Sequence, residues 1–227
     1  MSKRRSVFVL VAAVAAAVGL LASPASAGLQ QQTFTDVPPS NPFFEHIEWG
    51  ADEGIIEGYP DDTFRPIQNV SRQAMAAFLY RLQGSPEPPE EILEQVFSDV
   101  PEDHPFFIET FYLHASGISE GYPDGTFRPS ATITRQALAQ FIYGFLMSPE
   151  LPPNIPQHFT DVTPTHPFYA AIELMYDTEI AEGFPDGTFR PAALVTRQVA
   201  ATMVHRTFIA LNSMETMGAA SAPGWTS

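Results

Sequence analysis

Three arginines occupy the same place in three short motifs: Arg72 in Val70-Ser71-Arg72-Gln73, Arg135 in Ile133-Thr134-Arg135-Gln136 and Arg197 in Val195-Thr196-Arg197-Gln198. Ser71, Thr134 and Thr196 are N-cap residues by type. Each motif leads into apolar residues at helical spacing, so each arginine falls in the first turn of a helix. A helix N-terminus presents free N–H groups and a partial positive charge. A guanidinium there adds a planar fork that matches a carboxylate. The pattern reads as an anion site built three times. The competing reading is that these guanidiniums pair with the protein's own acids.

The use of positive charge supports a positional role. The 227-residue chain carries 26 acidic residues, and beyond residue 27 its cations are eight arginines and no lysine, a net charge of −18. All eight fall in repeated columns: Arg65, Arg128 and Arg190; Arg72, Arg135 and Arg197; Arg81 and Arg206, with Gly144 in the one empty place. Such an acidic surface excludes nucleic acid as a natural partner, because phosphate binding needs a basic footprint. Arg65, Arg128 and Arg190 are expected to brace the chain against Asp36, Asp99 and Asp161.

The elements that position the arginines recur as well. Each copy opens on Phe-x-Asp-Val (Phe34, Phe97, Phe159) and then reaches a proline (Pro42, Pro105, Pro167) suited to a first helical position. First helices are predicted over 42–53, 105–116 and 167–178. Gly54 and Gly117 are placed to end two of them with positive φ, whereas Glu179 stands in the third, which predicts a looser or differently built end. A turn follows, Gly58-Tyr59-Pro60-Asp61-Asp62-Thr63-Phe64-Arg65-Pro66 in the first copy and Gly121 to Pro129 and Gly183 to Pro191 in the others. Pro-Asp-Gly-Thr suits a type I turn with Gly125 or Gly187 in the left-handed position; Asp62 fills it in the first copy, at some strain. Second helices are predicted to run to about 82, 146 and 210.

The repeats span Phe34 to Arg81, Phe97 to Gly144 and Phe159 to Arg206, and align without a gap at offsets of 63 and 62 residues. Units of under about 50 residues bury too little surface to stand alone, so the three are predicted to pack as one body. Residues 1–27 read as a secretory signal peptide: a basic Lys3-Arg4-Arg5, an apolar run from Val7 to Leu21 and a small-residue Ala25-Ser26-Ala27 cleavage site. No later stretch is apolar enough to span a membrane. There is no cysteine, so the exported chain uses no disulfide. Proline-rich linkers lie at 84–89 and 148–156, and 213–227 is expected to be a disordered tail.

These residues closely resemble the S-layer homology family: F-x-D-V, a helix, G-Y-P-D-G-T-F-R-P and a T-R-A-E-like helix start, in three tandem copies from Phe34 to Arg206. The resemblance implies a mainly α fold, three helix–loop–helix repeats forming a pseudo-threefold prism around a central three-helix bundle, with grooves between lobes. It also implies secretion to the cell surface and non-covalent attachment to cell-wall polysaccharide, typically a secondary polymer with pyruvate ketals on N-acetylmannosamine. The family's glycan-gripping arginine carries over to Arg72, Arg135 and Arg197. The glutamate of its motif is replaced, by Gln73-Ala74, Gln136-Ala137 and Gln198-Val199, a departure that bears on which ligand is bound.

On that reading a ketal carboxylate meets the arginine fork, Trp49 and Tyr112 cover a sugar face, and Gly58, Gly121 and Gly183 let backbone approach the sugar. Leu174 holds the Trp49 column in the third copy, so the grooves need not be equivalent. The alternative is a surface-layer structural module that binds another protein and no glycan. Catalysis is not expected, since no nucleophile–base pair recurs. The turn aspartates offer too few oxygens for calcium, and the six histidines show no metal-ligand spacing. No cofactor and no metal site are predicted.

Overall fold

The computed structural model describes residues 32–88, 93–146 and 155–220, with side chains as far as Ser213. The predicted signal peptide lies outside the described residues. Six helices follow in order: α1 (Phe44–Asp52), α2 (Arg72–Leu82), α3 (Phe107–Ala115), α4 (Arg135–Phe145), α5 (Tyr169–Asp177) and α6 (Arg197–Ala220). Among the described residues, extended pairing is limited to three isolated antiparallel bridges, so the fold is mainly α. No helix among them is long and apolar enough to cross a membrane.

Each first helix starts two residues later than the proline suggests, because the proline belongs to a capped turn. Asn41 Oδ1 accepts the Phe43 N–H at 2.9 Å. His104 and His166 do the same through Nδ1 for Phe106 and Phe168, at 3.1 and 3.2 Å. These helices end on left-handed residues, Gly54 (φ 66°), Gly117 (φ 73°) and Glu179 (φ 58°). The third end is therefore built like the others, with glutamate carrying the strain of positive φ that glycine avoids. Ser71 Oγ and Thr134 Oγ1 cap α2 and α4 by accepting the Ala74 and Ala137 N–H groups. Thr196 Oγ1 at the start of α6 is buried without a partner.

α6 overruns the sequence expectation. The helix was predicted to stop near 210 before a disordered tail, yet it continues to Ala220. The added stretch is rich in Ala, Leu and Met and meets no glycine before Gly218, a composition that costs little to keep helical. Residues 221–227 lie outside the described part.

The repeats close into a ring. The Val70 N–H donates to the Val195 carbonyl (2.9 Å), Val195 to Ile133 (3.1 Å) and Ile133 to Val70 (3.1 Å). One residue from each copy thus meets at a pseudo-threefold point where the second helices begin. From it, α3 packs on α2, α5 on α4 and α1 on α6, so each first helix lies against the second helix of the preceding copy, and α2 also touches α6. Phe64, Phe127 and Phe189 are fully buried beneath the turns, together with Met75, Leu79, Leu138 and Ile142 of the second helices and Ile47, Leu113 and Ile172 of the first. The core is shared because each first helix makes its main helix contact with the second helix of another copy.

Candidate functional site: the seams between repeats

The turn is built from its own side chains. Asp36 accepts the N–H groups of Phe64 and Arg65, both at 2.7 Å. Asp99 and Asp161 hold the two later turns in the same way. The Arg65 side chain takes a different partner from the one expected: its Nη2 pairs with Asp61 Oδ2 at 3.0 Å, and Arg128 and Arg190 pair with Asp124 and Asp186. The Asp36 oxygens are already spent on backbone, which leaves the guanidinium to the turn aspartate. Asp61 Oδ1 is taken by Thr63, so this carboxylate is committed at both oxygens within its own turn. Hydrogen bonds from Thr126 and Arg128 hold Asp124 at about 2, and those from Thr188 and Arg190 hold Asp186 at about 2.

The three predicted arginines sit in the seams. Arg72, Arg135 and Arg197 are 6–8% exposed. Each donates its Nε–H to the carbonyl of the buried phenylalanine in the next repeat's turn: Arg72 to Phe127 (2.8 Å), Arg135 to Phe189 (2.7 Å) and Arg197 to Phe64 (2.7 Å). None forms a salt bridge with a carboxylate among the described residues, so the self-pairing reading does not describe them. Burial pulls all three guanidinium pKa values down. Asp99, Asp161 and Asp36 push the other way, as do the Tyr122 and Tyr59 phenols beside Arg72 and Arg197.

The helix mouths are not free, contrary to expectation. The N–H groups of Arg72 and Gln73 donate to the carbonyls of Ala131 and Pro129 in the next repeat. Arg135 and Gln136 use Ala193 and Pro191, and Arg197 and Gln198 use Gln68 and Pro66. The unsatisfied donors of a helix start are consumed in joining repeats. What remains for an anion is the guanidinium, and the seams differ there. Arg135 Nη2 donates to Glu182 O (3.2 Å) and Arg197 Nη2 to Glu57 O (2.8 Å). Among the described residues, Arg72 has its Nε bond alone.

An aromatic residue missed in the sequence completes each seam. Tyr122 lies between Arg72 (4.9 Å from its ring centroid) and Arg128 (3.8 Å). Tyr59 lies between Arg197 and Arg65, and Phe184 between Arg135 and Arg190. Its signal was the aromatic that follows glycine in all three turn motifs. Gly58, Gly121 and Gly183 do adjoin the arginines, but packing accounts for them. A Cβ on Gly58 would lie 2.3 Å from Phe34 Cε1 and 2.7 Å from Thr63 O, with the same clash at the other two.

Trp49 and Tyr112 are not brought to the arginines. Trp49 stacks on His205 at 4.1 Å, and Tyr112 meets Tyr80 edge-on at 5.4 Å. His205 and Tyr80 lie eight residues beyond Arg197 and Arg72, about 12 Å along the helix. Leu174, in the same column, is buried. Near His205, a groove of about 1010 Å³ is lined by His46, Asp177, Glu179, Glu182, Arg206 and Ile209. Its three carboxylates against one guanidinium make it a poor seat for an anion.

The sequence of the three repeats matches a known family. The family model described as "S-layer homology domain" matches residues 33–76, 96–139 and 158–200. Cell surface glycoprotein 1 of Acetivibrio thermocellus is 29% identical over 165 residues, 69% of this chain and 7% of that protein. The Cellulosome-anchoring protein of the same organism is 28% identical over 180 residues, 78% of this chain and 39% of its own length. A Surface layer protein of Brevibacillus choshinensis is 35% identical over 97 residues, 41% of this chain and 9% of its own. The chain thus spans well under half of each of these relatives. With three matched segments that together cover more than half of it, the chain belongs to the S-layer homology domain family.

Proposed function

We propose that this protein attaches non-covalently to the bacterial cell wall by binding an acidic wall glycan in the seams between its repeats, and that it works at the cell surface as a binding module, not as an enzyme. The supporting observation is a guanidinium in each seam, at Arg72, Arg135 and Arg197, with no carboxylate partner among the described residues. In a partly desolvated seam such a charge attracts a ligand carboxylate more strongly than an exposed arginine does. A pyruvate ketal on a wall sugar supplies that carboxylate. Gly58, Gly121 and Gly183 precede the aromatic residues that flank these guanidiniums, while Trp49 and Tyr112 contact His205 and Tyr80 instead. Relatives named for cellulosome anchoring and for the surface layer agree with a wall-attached role.

Sedimentation with purified wall tests the reading. The protein is expected to pellet with intact wall and to stay in solution with wall whose ketals have been removed by mild acid. Equal capture by ketal-free wall refutes recognition of the ketal, and equal capture by wall stripped of the whole polymer refutes glycan recognition and favours a protein partner in the surface layer.

A further inference from the structure

Two departures of the third repeat, the overrun of α6 and the glutamate at a glycine position, meet in one groove. One wall is drawn from residues 176–182, after α5, and the other is the face of α6 that carries Arg206, Ile209 and Ser213. In the first two copies the second helices end at Leu82 and Phe145, before the positions that match Ile209 and Ser213. The Tyr176 column holds Ala51 and His114 there, and the Glu179 column holds Gly54 and Gly117. The groove is thus made by what the third copy adds to the shared plan.

Its lining pairs apolar anchors with uncompensated acid. Tyr176 and Ile209 are 43% and 48% exposed, two of the four large apolar residues that are exposed among the described residues. Tyr176 is fixed all the same: its ring stacks on His158 at 4.1 Å and meets Phe159 edge-on at 5.5 Å. An aromatic ring held rigid yet open loses little freedom on contact, which suits it to anchor an interface. Arg206 is neutralised by Glu182 at 2.9 Å. Glu179, carried at φ 58°, forms no ion pair among the described residues. Asp177 has His158 Nε2 at 3.8 Å, on a ring whose Nδ1 is engaged by the buried Glu173 at 2.7 Å.

Charge selects the occupant. An acidic glycan is repelled by these carboxylates. A second copy fares no better: of the eight arginines beyond residue 27, three are buried in the seams and five are paired with acids, so it offers no spare cation. We propose that this groove docks a segment of a partner protein that carries a lysine or arginine beside a large apolar residue. The cation meets Asp177 and Glu179, and the apolar side chain meets Tyr176 and Ile209. At about 1010 Å³ the groove takes a short segment, not a globular face. The field of a chain with net charge −18 steers such a segment inward. No seam arginine lines the groove, so the inference does not rest on wall attachment and adds a second partner to it.

The probe is a blocked Lys-Leu-Lys-Leu-Lys peptide, titrated into the chain beyond the predicted signal peptide at about 0.15 M salt and followed by calorimetry and NMR. Expected are one saturable site and shifts confined to the groove, at Tyr176, Ala181 and Ile209 foremost. Glu179→Gly is expected to weaken binding about fivefold with no fall in melting temperature, and Tyr176→Ala about tenfold. The same peptide with serine for leucine is expected to bind about tenfold more weakly at equal charge. Glu53→Gln, at an exposed acid outside the groove, keeps full affinity. Absence of a saturable site, equal binding by Glu179→Gly, or equal binding of the serine peptide overturns the proposal. So does competition by purified wall glycan, which gives the groove to the glycan, or self-association lost in Tyr176→Ala, which gives it to a second copy. Capture of the protein by wall is measured without the peptide, so the two readings fail separately.

Discussion

Replacing the seam arginines one at a time separates their roles, because two of them make a bond that the third lacks. Arg197→Ala and Arg72→Ala each delete one Nε–H bond to a buried phenylalanine carbonyl and similar contacts with aromatic faces. These losses cancel in the comparison. What does not cancel is the 2.8 Å bond from Arg197 to Glu57 O. A hydrogen bond to a charged group contributes about 1.5–3 kcal/mol, so Arg197→Ala is expected to cost that much more than Arg72→Ala. For a body of this size each kcal/mol moves the melting temperature by about 2–4 °C. Arg197→Ala should therefore melt about 3–12 °C below Arg72→Ala, with Arg135→Ala between them because its second bond is longer, 3.2 Å. Scanning calorimetry is the assay, with agreement of calorimetric and van't Hoff enthalpies to establish one cooperative transition. Arg72→Ala melting at or below the temperature of Arg197→Ala refutes the claim that Arg72 alone is held at one point.

Two further perturbations probe the frame. Glu179 holds the left-handed position that Gly54 and Gly117 fill in the other copies; since its strain exceeds the entropic cost of glycine, Glu179→Gly is expected to stabilise by about 0.5–1 kcal/mol, and an unchanged or lower urea midpoint contradicts this. At the ring-closing contact of α1 with α6, His46 Nδ1 lies 2.9 Å from His205 Nδ1. Burial lowers both pKa values; Arg206 lowers His46 further and His46 lowers His205, while Glu45 acts in the opposite sense on both. With folded values below the unfolded one, this contact contributes its full stability above about pH 6.5 and loses it as pH falls through the folded values. His205→Phe keeps a flat ring on Trp49 and is expected to flatten the drop in melting temperature between pH 7.5 and 5. An equal drop in both proteins shows that the pair is not responsible.

The repeat plan was legible because it is written in residues with one local job. Pro-Asp-Gly-Thr makes a turn in any context, Ser71 and Thr134 cap helices by side-chain reach, and the apolar faces of α2 and α4 follow helical period. What was not legible was partner choice. Asp36 and Asp61 are both near Arg65 in the fold, and only the fold shows that Asp36 is already committed to backbone N–H groups. The helix mouths were read as open because a sequence shows a helix start but not the strip of neighbouring chain laid across it. Trp49 was read as a sugar platform from its type, but its stacking on His205 depends on a residue far along the chain. The end of α6 was misjudged because small polar composition was weighed above helix propensity.

The same exchange between copies shows the structural work of the arginine column. Each second helix hands its first two N–H groups and its arginine Nε–H to the following turn, and each first helix returns to the preceding second helix. Every seam has the first guanidinium bond, and the second, present at Arg135 and Arg197, adds stability that the seam at Arg72 forgoes. The sequence difference beside that seam is small, a hydroxyl at Ser119 in place of the Ile56 or Ala181 side chain, and it accepts the Gly121 N–H at 3.3 Å, next to a residue whose rotation is least hindered. Ser119 thus changes how one peptide is held without touching the Arg72 bond that joins the repeats.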